Sequence, residues 1–361
     1  MKYLSEFRDP VLAKKLTQSI KEISRRKTNL MEVCGTHTVA ISKSGIRQVM
    51  PENITLLSGP GCPVCVTANS DLDKAIAIAK SGVIFTTFGD MLKVPSSYSS
   101  LGEEKTVGVD IRVVYSTLDA LKIAEENPDR DVVFYAVGFE TTAPTIAISL
   151  MEAERRGIKN YSIYCVHKIV PPAIRALLDL GELGLEGFIC PGHVSAIIGS
   201  DPYQFITDEY QIPCVVAGFE PLDILQTIYM LVKQVEDGEA KVEIQYKRSV
   251  SPEGNKIAQE MMDKVFETAD AEWRGIGIIP GSGLKVREDY SHFDAEKRFD
   301  VDVPPTKPDP PGCSCGEILR GIKFPYDCQL FGQACTPERP IGPCMVSSEG
   351  CCAAYYRYRR A

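Results

Sequence analysis

Three groups of residues have the types and spacing to carry chemistry, and all three turn on sulfur. Cys62-Pro63-Val64-Cys65 follows Gly59-Pro60-Gly61. Two thiols spaced this way in a turn can meet as a reversible disulfide, and a helix starting behind them favours the thiolate. The same spacing also serves a pair of metal ligands or inert turn cysteines. Cys34-Gly35-Thr36-His37-Thr38 sets a thiol three residues from an imidazole, with Gly35 permitting close backbone approach. That pattern suits a thiolate activated by imidazole, a two-ligand metal corner, or a core histidine beside a buried cysteine. The third group is a tail in which seven of the thirteen cysteines crowd between Cys313 and Cys352. Four cysteine sulfurs hold zinc or an iron–sulfur cluster. Zinc ribbons usually pair CxxC knuckles, and this tail has none. Its uneven spacings, interrupted by apolar and aromatic residues, suit an iron–sulfur cluster better. Zinc and buried free cysteines packing as small hydrophobes are the alternatives.

Two further histidines, His167 and His193, each follow an apolar run and stand near a cysteine. Gly-Phe-Glu occurs twice, ending in Glu140 and in Glu220. Either carboxylate could orient a histidine or bind a polar ligand, or simply favour a helix N-terminus. GIGIIPGSG lacks the spacing of a P-loop or a dinucleotide fingerprint.

Strand ends must position these groups. ITLLSGPGCPVC, VIFTTFGD, VGVDIRVVY, DVVFYAVGF, YSIYCVHKI, GFICPG and CVVAGF each read as a buried strand running into a turn. Helical patterns such as DLDKAIAIAKSG and PLDILQTIYMLVKQVEDG alternate with them. Leu12, Leu16, Ile20 and Ile23 mark an opening helix. The alternation predicts an α/β fold with parallel sheets and crossover helices, with ligands beyond the strand C-termini. A helix is expected over 255–271, and VDVPPTKPDPPG reads as a linker into the tail. The expected division is 1–117, a first α/β domain with its N-terminal helix; 118–240, a second α/β domain; and 241–361, a helical and Cys-rich [4Fe-4S] domain. The two Gly-Phe-Glu segments suggest related halves.

Charged residues are 24% and hydrophobic ones 44% of the 361 residues, as in an ordinary folded protein. The net charge of −8 argues against nucleic acid, and the basic tail run Arg357, Arg359 and Arg360 is too short to count for much. No stretch reaches the roughly 18 apolar residues of a membrane span, and no signal-peptide core opens the chain. A cytoplasmic setting is expected, in which cysteines serve as ligands or redox groups rather than disulfide staples.

Taken together, Cys34-Gly35-Thr36-His37-Thr38, Gly61-Cys62-Pro63-Val64-Cys65, GFETTAPT (138–145), PGHVS (191–195), GFEP (218–221), IPGSGL and MVSSEG (345–350) resemble the motifs of the HypD family. The resemblance runs the whole length. It implies a scaffold that assembles the Fe(CN)2CO unit of [NiFe]-hydrogenase with the small chaperone HypC and receives cyanide from HypE. It further implies that Cys34 binds the iron together with a HypC cysteine. Cys62 and Cys65 would be a thiol–disulfide couple, fed with electrons by a [4Fe-4S] cluster in the tail. On this basis His37 would stabilise the thiolate or hydrogen-bond a cyanide nitrogen, and Glu140, Glu220, His193 and Thr142 would polarise the ligands. The family fold is two similar α/β domains plus a cluster domain. For the cluster, Cys315, Cys328, Cys335 and Cys352 are favoured as well dispersed, with Cys313, Cys344 and Cys351 as rivals. The alternative function is an iron–sulfur thiol–disulfide oxidoreductase acting on a protein disulfide.

Overall fold

The computed structural model describes residues 6–358; Arg359 and Arg360 of the basic tail lie outside the described residues. Nine short strands come first: β1 (Thr28–Glu32), β2 (Ile54–Ser58), β3 (Ile84–Thr87), β4 (Ile111–Val113), β5 (Val132–Ala136), β6 (Tyr161–Cys165), β7 (Gly187–Pro191), β8 (Cys214–Ala217) and β9 (Val242–Ile244). They form two parallel sheets, one ordered β2-β1-β7-β8-β9 and the other β4-β3-β5-β6. Central strands such as β5 and β7 are buried throughout, because helices cover both faces. That burial explains their unbroken apolar runs. Leu30 pairs with Leu56 and Gly187 in the first sheet. Phe85 pairs with Ile111 and Val133 in the second.

The sheets cut across a division of the chain at 117 and 240. β3 and β4, before 117, pair into one sheet with β5 and β6 beyond it, while β7, β8 and β9 return to extend β1 and β2. The second sheet is thus inserted within the first. Local sequence repeats one strand–helix theme throughout, so it carries no mark of which sheet a strand joins; that choice rests on long-range pairing. Counted within each sheet, the strands run 2-1-3-4 in the second and 2-1-3-4-5 in the first, so the two units share a doubly wound order. The two Gly-Phe-Glu segments do not match within it. Gly138–Glu140 follows β5, the third strand of its sheet, whereas Gly218–Glu220 follows β8, the fourth.

The helix expected over 255–271 ends early. Lys256–Val265 is helical, and then β10 (Phe266–Trp273) pairs antiparallel with β11 (Gly277–Val286). From Glu267 to Glu272 the side chains alternate between half-buried and exposed, the period of a strand with one face toward the protein, and buried Phe266 and Trp273 close its two ends. Trp273 is fully buried and stacks on Phe139 at 5.9 Å. Bridges from Trp273 to Thr67 and from Gly283 to Lys168 tie this hairpin to the loops following β2 and β6. One core then runs from Met31 and Phe188 of the first sheet through Cys62, Cys65 and Trp273 to the tail cysteines. Among the described residues no helix is long and apolar enough to cross a membrane.

Candidate functional site

In a sheet ordered 2-1-3-4, the crevice opens at the C-terminal ends of the first and third strands, where their helices leave on opposite faces. Here those ends carry Cys34, just beyond β1, and His193, just beyond β7. Cys34 is the N-cap of the helix Gly35–Ser44. The CPVC segment follows β2, next to β1, so sheet pairing alone brings the two cysteine motifs together. Their backbones interlock, for the Gly35 N–H donates to the Gly61 carbonyl at 2.8 Å. A Cβ at Gly61 would fall 2.1 Å from the Cys34 nitrogen, and one at Gly35 would fall 2.7 Å from Glu349. Only glycine permits either approach.

Burial pushes the Cys34 thiol up to about 12; the His37 and Thr36 N–H groups oppose this, while Glu349 and Glu32 add to it. The thiol is therefore protonated at neutral pH, and a cation is needed to displace its proton. Beneath it lies Glu32, fully buried. Its Oε2 accepts the Cys34 N–H at 3.0 Å, and its Oε1 accepts the Thr38 hydroxyl. From above, Glu349 accepts the Thr36 hydroxyl at 2.7 Å.

His37 is locked. Its Nε2 lies 3.2 and 3.0 Å from the Ala217 and Gly218 carbonyls. Carbonyls only accept, so Nε2 carries the proton and Nδ1, buried without a partner, holds the lone pair. Burial lowers its pKa to about 4, against the pull of those carbonyls. In this neutral tautomer the ring accepts; it does not donate to a ligand nitrogen. His37 stacks on Phe219 at 4.7 Å, and the other side of the stack is the exposed His193 at 3.8 Å.

The remaining carboxylates and hydroxyl are engaged with other partners. Glu220 is clasped by the Arg8 guanidinium through both oxygens. Glu140 is almost wholly buried, with Oε1 accepting the Val170 N–H at 2.9 Å and Oε2 unpartnered. Burial raises its pKa to about 7. Thr142 hydrogen-bonds His167 Nε2 at 2.9 Å, at the end of the second sheet. Sequence reasoning missed Glu32 and Glu349 as partners of the Cys34 loop. The signal for Glu32 was available, since period-two alternation puts it on the same side of the strand as Cys34.

Cys62 caps the short helix Pro63–Val66 by accepting the Cys65 N–H at 3.3 Å, and the two sulfurs stand 2.6 Å apart. Both are buried. Cys65 is also within hydrogen-bonding reach of Cys344, which in turn reaches Cys315 and Cys352. Cys313, Cys315, Cys328, Cys335, Cys344 and Cys352 line one cavity, closed by Ile318, Leu330, Phe331 and Met345. Cys351 does not line it; its thiol turns to Ser58. Among the described residues no three His, Cys, Asp or Glu side chains are placed to hold one metal ion. An apolar cavity walled by six thiols and lined by no charged residue matches the donor set of an iron–sulfur cluster.

The HypD family model, described as the hydrogenase formation hypA family, matches residues 11–359. The chain belongs to the HypD family. It is 49% identical to the hydrogenase maturation factor HypD of Rhizobium leguminosarum bv. viciae, over 100% of this chain and 96% of that one. It is 48% identical to that of Cupriavidus necator over 100% and 98%. Identity is also 48% to that of Azotobacter vinelandii, over 100% and 97%. The likeness to these HypD proteins therefore covers the strand-end loops, the CPVC helix and the Cys-rich tail alike.

Proposed function

We propose that this chain acts in hydrogenase maturation as the scaffold on which the Fe(CN)2CO unit of [NiFe]-hydrogenase is assembled. The supporting observation is the interlock of the Cys34 and Cys62 loops through Gly35 and Gly61, continued by sulfur contacts into the tail. Iron is the cargo. Cys34 binds it as a thiolate, and a cysteine of a HypC-type chaperone supplies the second sulfur. A HypE-type donor delivers cyanide at the crevice between the Cys34 helix and His193. Soft thiolates suit low-spin ferrous iron carrying such ligands.

The chain's own groups have distinct tasks here. Glu32 and Glu349 hold the Cys34 loop from below and above. Phe219 stacks on both the His37 and the His193 rings, with His193 exposed. Cys62 and Cys65 act as a thiol–disulfide couple. The tail cavity fits a [4Fe-4S] cluster, which Cys315, Cys328, Cys335 and Cys352 would hold and which would supply single electrons to the couple. Because the partners sit at one sheet edge, loss of Cys34 alone separates cargo binding from redox chemistry. The protein co-expressed with its partners carries cyanide infrared stretches, and Cys34→Ala abolishes them while keeping the visible absorption of the tail. Persistence of the cyanide bands in that variant defeats the proposal. Catalytic turnover of a disulfide substrate by the chain alone would instead establish a thiol–disulfide oxidoreductase.

A further inference from the structure

We propose that the turn 328–335 and its basic flank form a docking face for a small one-electron carrier protein whose own redox centre is ringed by acidic residues. The inference rests on reading the tail cavity as a cluster site and adds the surface through which electrons reach it from outside.

At this turn the cavity wall is a single layer thick. Leu330 and Phe331 line the cavity and are themselves only half-buried, so the same two side chains meet the thiols and the surface. The turn is tight, for the Cys335 N–H donates to the Leu330 carbonyl at 2.9 Å and the Gly332 N–H to the Cys335 carbonyl at 3.0 Å. A wall held in this way has little to reorganise when a partner docks. Outside it, Tyr326 is 59% exposed and sets its ring edge-on to Phe331 at 5.3 Å and to Tyr355 at 5.5 Å. No residue from 328 to 335 carries a charge. An uncharged aromatic centre with charges confined to the rim is how small, transient redox interfaces are built.

The rim decides the kind of partner. Arg339 lies in the loop joining Cys335 to Gly342, both of which line the cavity. Arg357 follows Tyr356, whose ring meets Phe331 at 6.1 Å. Both arginines are exposed, and neither forms an ion pair among the described residues. Arg359 and Arg360 continue the run in the sequence, and the acids next to the turn are Asp327 and Glu338. Lys323 and Arg320 are already paired, with Glu317 and Glu182. The chain as a whole carries a net charge of −8. An acidic carrier is therefore repelled by the molecule at long range and drawn to this edge at short range. The basic tail run, too short to hold a nucleic acid, suffices to orient such a partner.

Each encounter moves one electron inward. The carrier is oxidised by one electron, the cavity's cluster is reduced by one, and no bond forms or breaks.

The test uses the full chain purified without oxygen. An acidic flavodoxin in its hydroquinone form is the protein probe, read by the appearance of its blue semiquinone in stopped flow. Reduced methyl viologen is the small reference reductant. Absence of visible iron–sulfur absorption, or absorption that methyl viologen does not bleach, overturns the cluster reading and this inference with it. With that absorption present, semiquinone forms at a rate that falls as salt is added. The double variant Arg339→Glu with Arg357→Glu is expected to slow it at least about tenfold at low salt, with reduction by methyl viologen slowed by no more than about twofold. An unchanged rate overturns the docking face and leaves the cluster standing. Lys122→Glu, on the helix Thr117–Glu126 that packs against β5, serves as the control and leaves the rate unchanged. Equal slowing there assigns the effect to net charge and overturns the face. Tyr326→Ala tests the apolar centre: it lowers the flavodoxin rate without altering reduction by methyl viologen, and an unchanged flavodoxin rate defeats the proposal.

Discussion

The Thr36 hydroxyl donates to Glu349 Oε1 at 2.7 Å, joining the first turn after Cys34 to the turn between Cys344 and Cys351. The same turn reaches the end of the other sheet, for Ser347 donates to Asp90, just beyond β3, at 3.0 Å. One short stretch of tail therefore pins the C-terminal edges of both sheets. Hydrogen bonds to a charged group are worth about 1.5–3 kcal/mol in partly buried settings. A double-mutant cycle of Thr36→Val and Glu349→Gln is expected to show a coupling energy of about 1–2 kcal/mol in urea denaturation. Additive single losses would show that the contact carries no stability.

Close backbone approach at Gly35 and Gly61 makes a graded pair of variants. Gly35→Ala puts a methyl 2.7 Å from the Glu349 side chain and carbonyl, and the turn has to shift, at about 1–3 kcal/mol. Gly61→Ala meets the Cys34 backbone at 2.1 Å, where nothing flexible can yield. Its cost is expected to exceed about 3 kcal/mol and to abolish iron binding as well. Unfolding midpoints in urea rank the two.

The parallel sheets were readable because each strand is a short apolar run ending in a glycine turn, as in VIFTTFGD and GFICPG. The strand-end location of Cys34 and His193 followed from that. Three things were hidden. Pairing of β1 with β7, across more than a hundred residues, leaves no local trace, so the insertion of one sheet in the other stayed out of reach. β10 escaped because Met261 to Val265 continues a helical pattern directly into Phe266. The ion pair of Glu220 with Arg8 was hidden too, since the two lie over two hundred residues apart. Charge pairing of that kind is set by tertiary approach alone.

Glu140 offers a pH signature free of the cysteines. Its folded pKa is raised to about 7 by burial, above its usual 4.5. The fold thus binds a proton that the unfolded chain releases between those values. Its contribution is full below about pH 4.5 and is lost as pH rises through 7. Glu140→Gln keeps a neutral side chain and removes that loss. Relative to wild type, the variant is expected to gain stability from pH 4.5 to pH 8, by up to about 3 kcal/mol. Parallel stability curves for the two proteins would refute a buried, proton-binding Glu140.

Iron loading should follow the Cys34 proton. With the thiol raised to about 12 by burial, binding a cation releases one proton throughout the neutral range. The apparent iron affinity at this sulfur is expected to rise about tenfold per pH unit between pH 6 and 8. Competition with a ferrous chelator of known pH dependence measures it. A flat profile would mean that Cys34 is already a thiolate, or that another group takes the metal.

Cys351 and Cys352 are neighbours in sequence with opposite surroundings, which makes them a sharp probe of the tail. Successive residues at the start of the helix Cys351–Tyr358 point about 100° apart. Cys352 therefore enters the thiol-lined cavity while Cys351 turns to Ser58, whose hydroxyl also receives a hydrogen bond from Arg47. Cys352→Ser removes a cavity sulfur and is expected to bleach the visible iron–sulfur absorption, as is Cys315→Ser. Cys351→Ser exchanges one small hydrogen-bonding side chain for another outside the cavity. It should leave that absorption intact, and with it the iron content of the purified protein. Equal bleaching by Cys351→Ser and Cys352→Ser would place the cluster on the Ser58 side of the helix and defeat the assignment of the cavity.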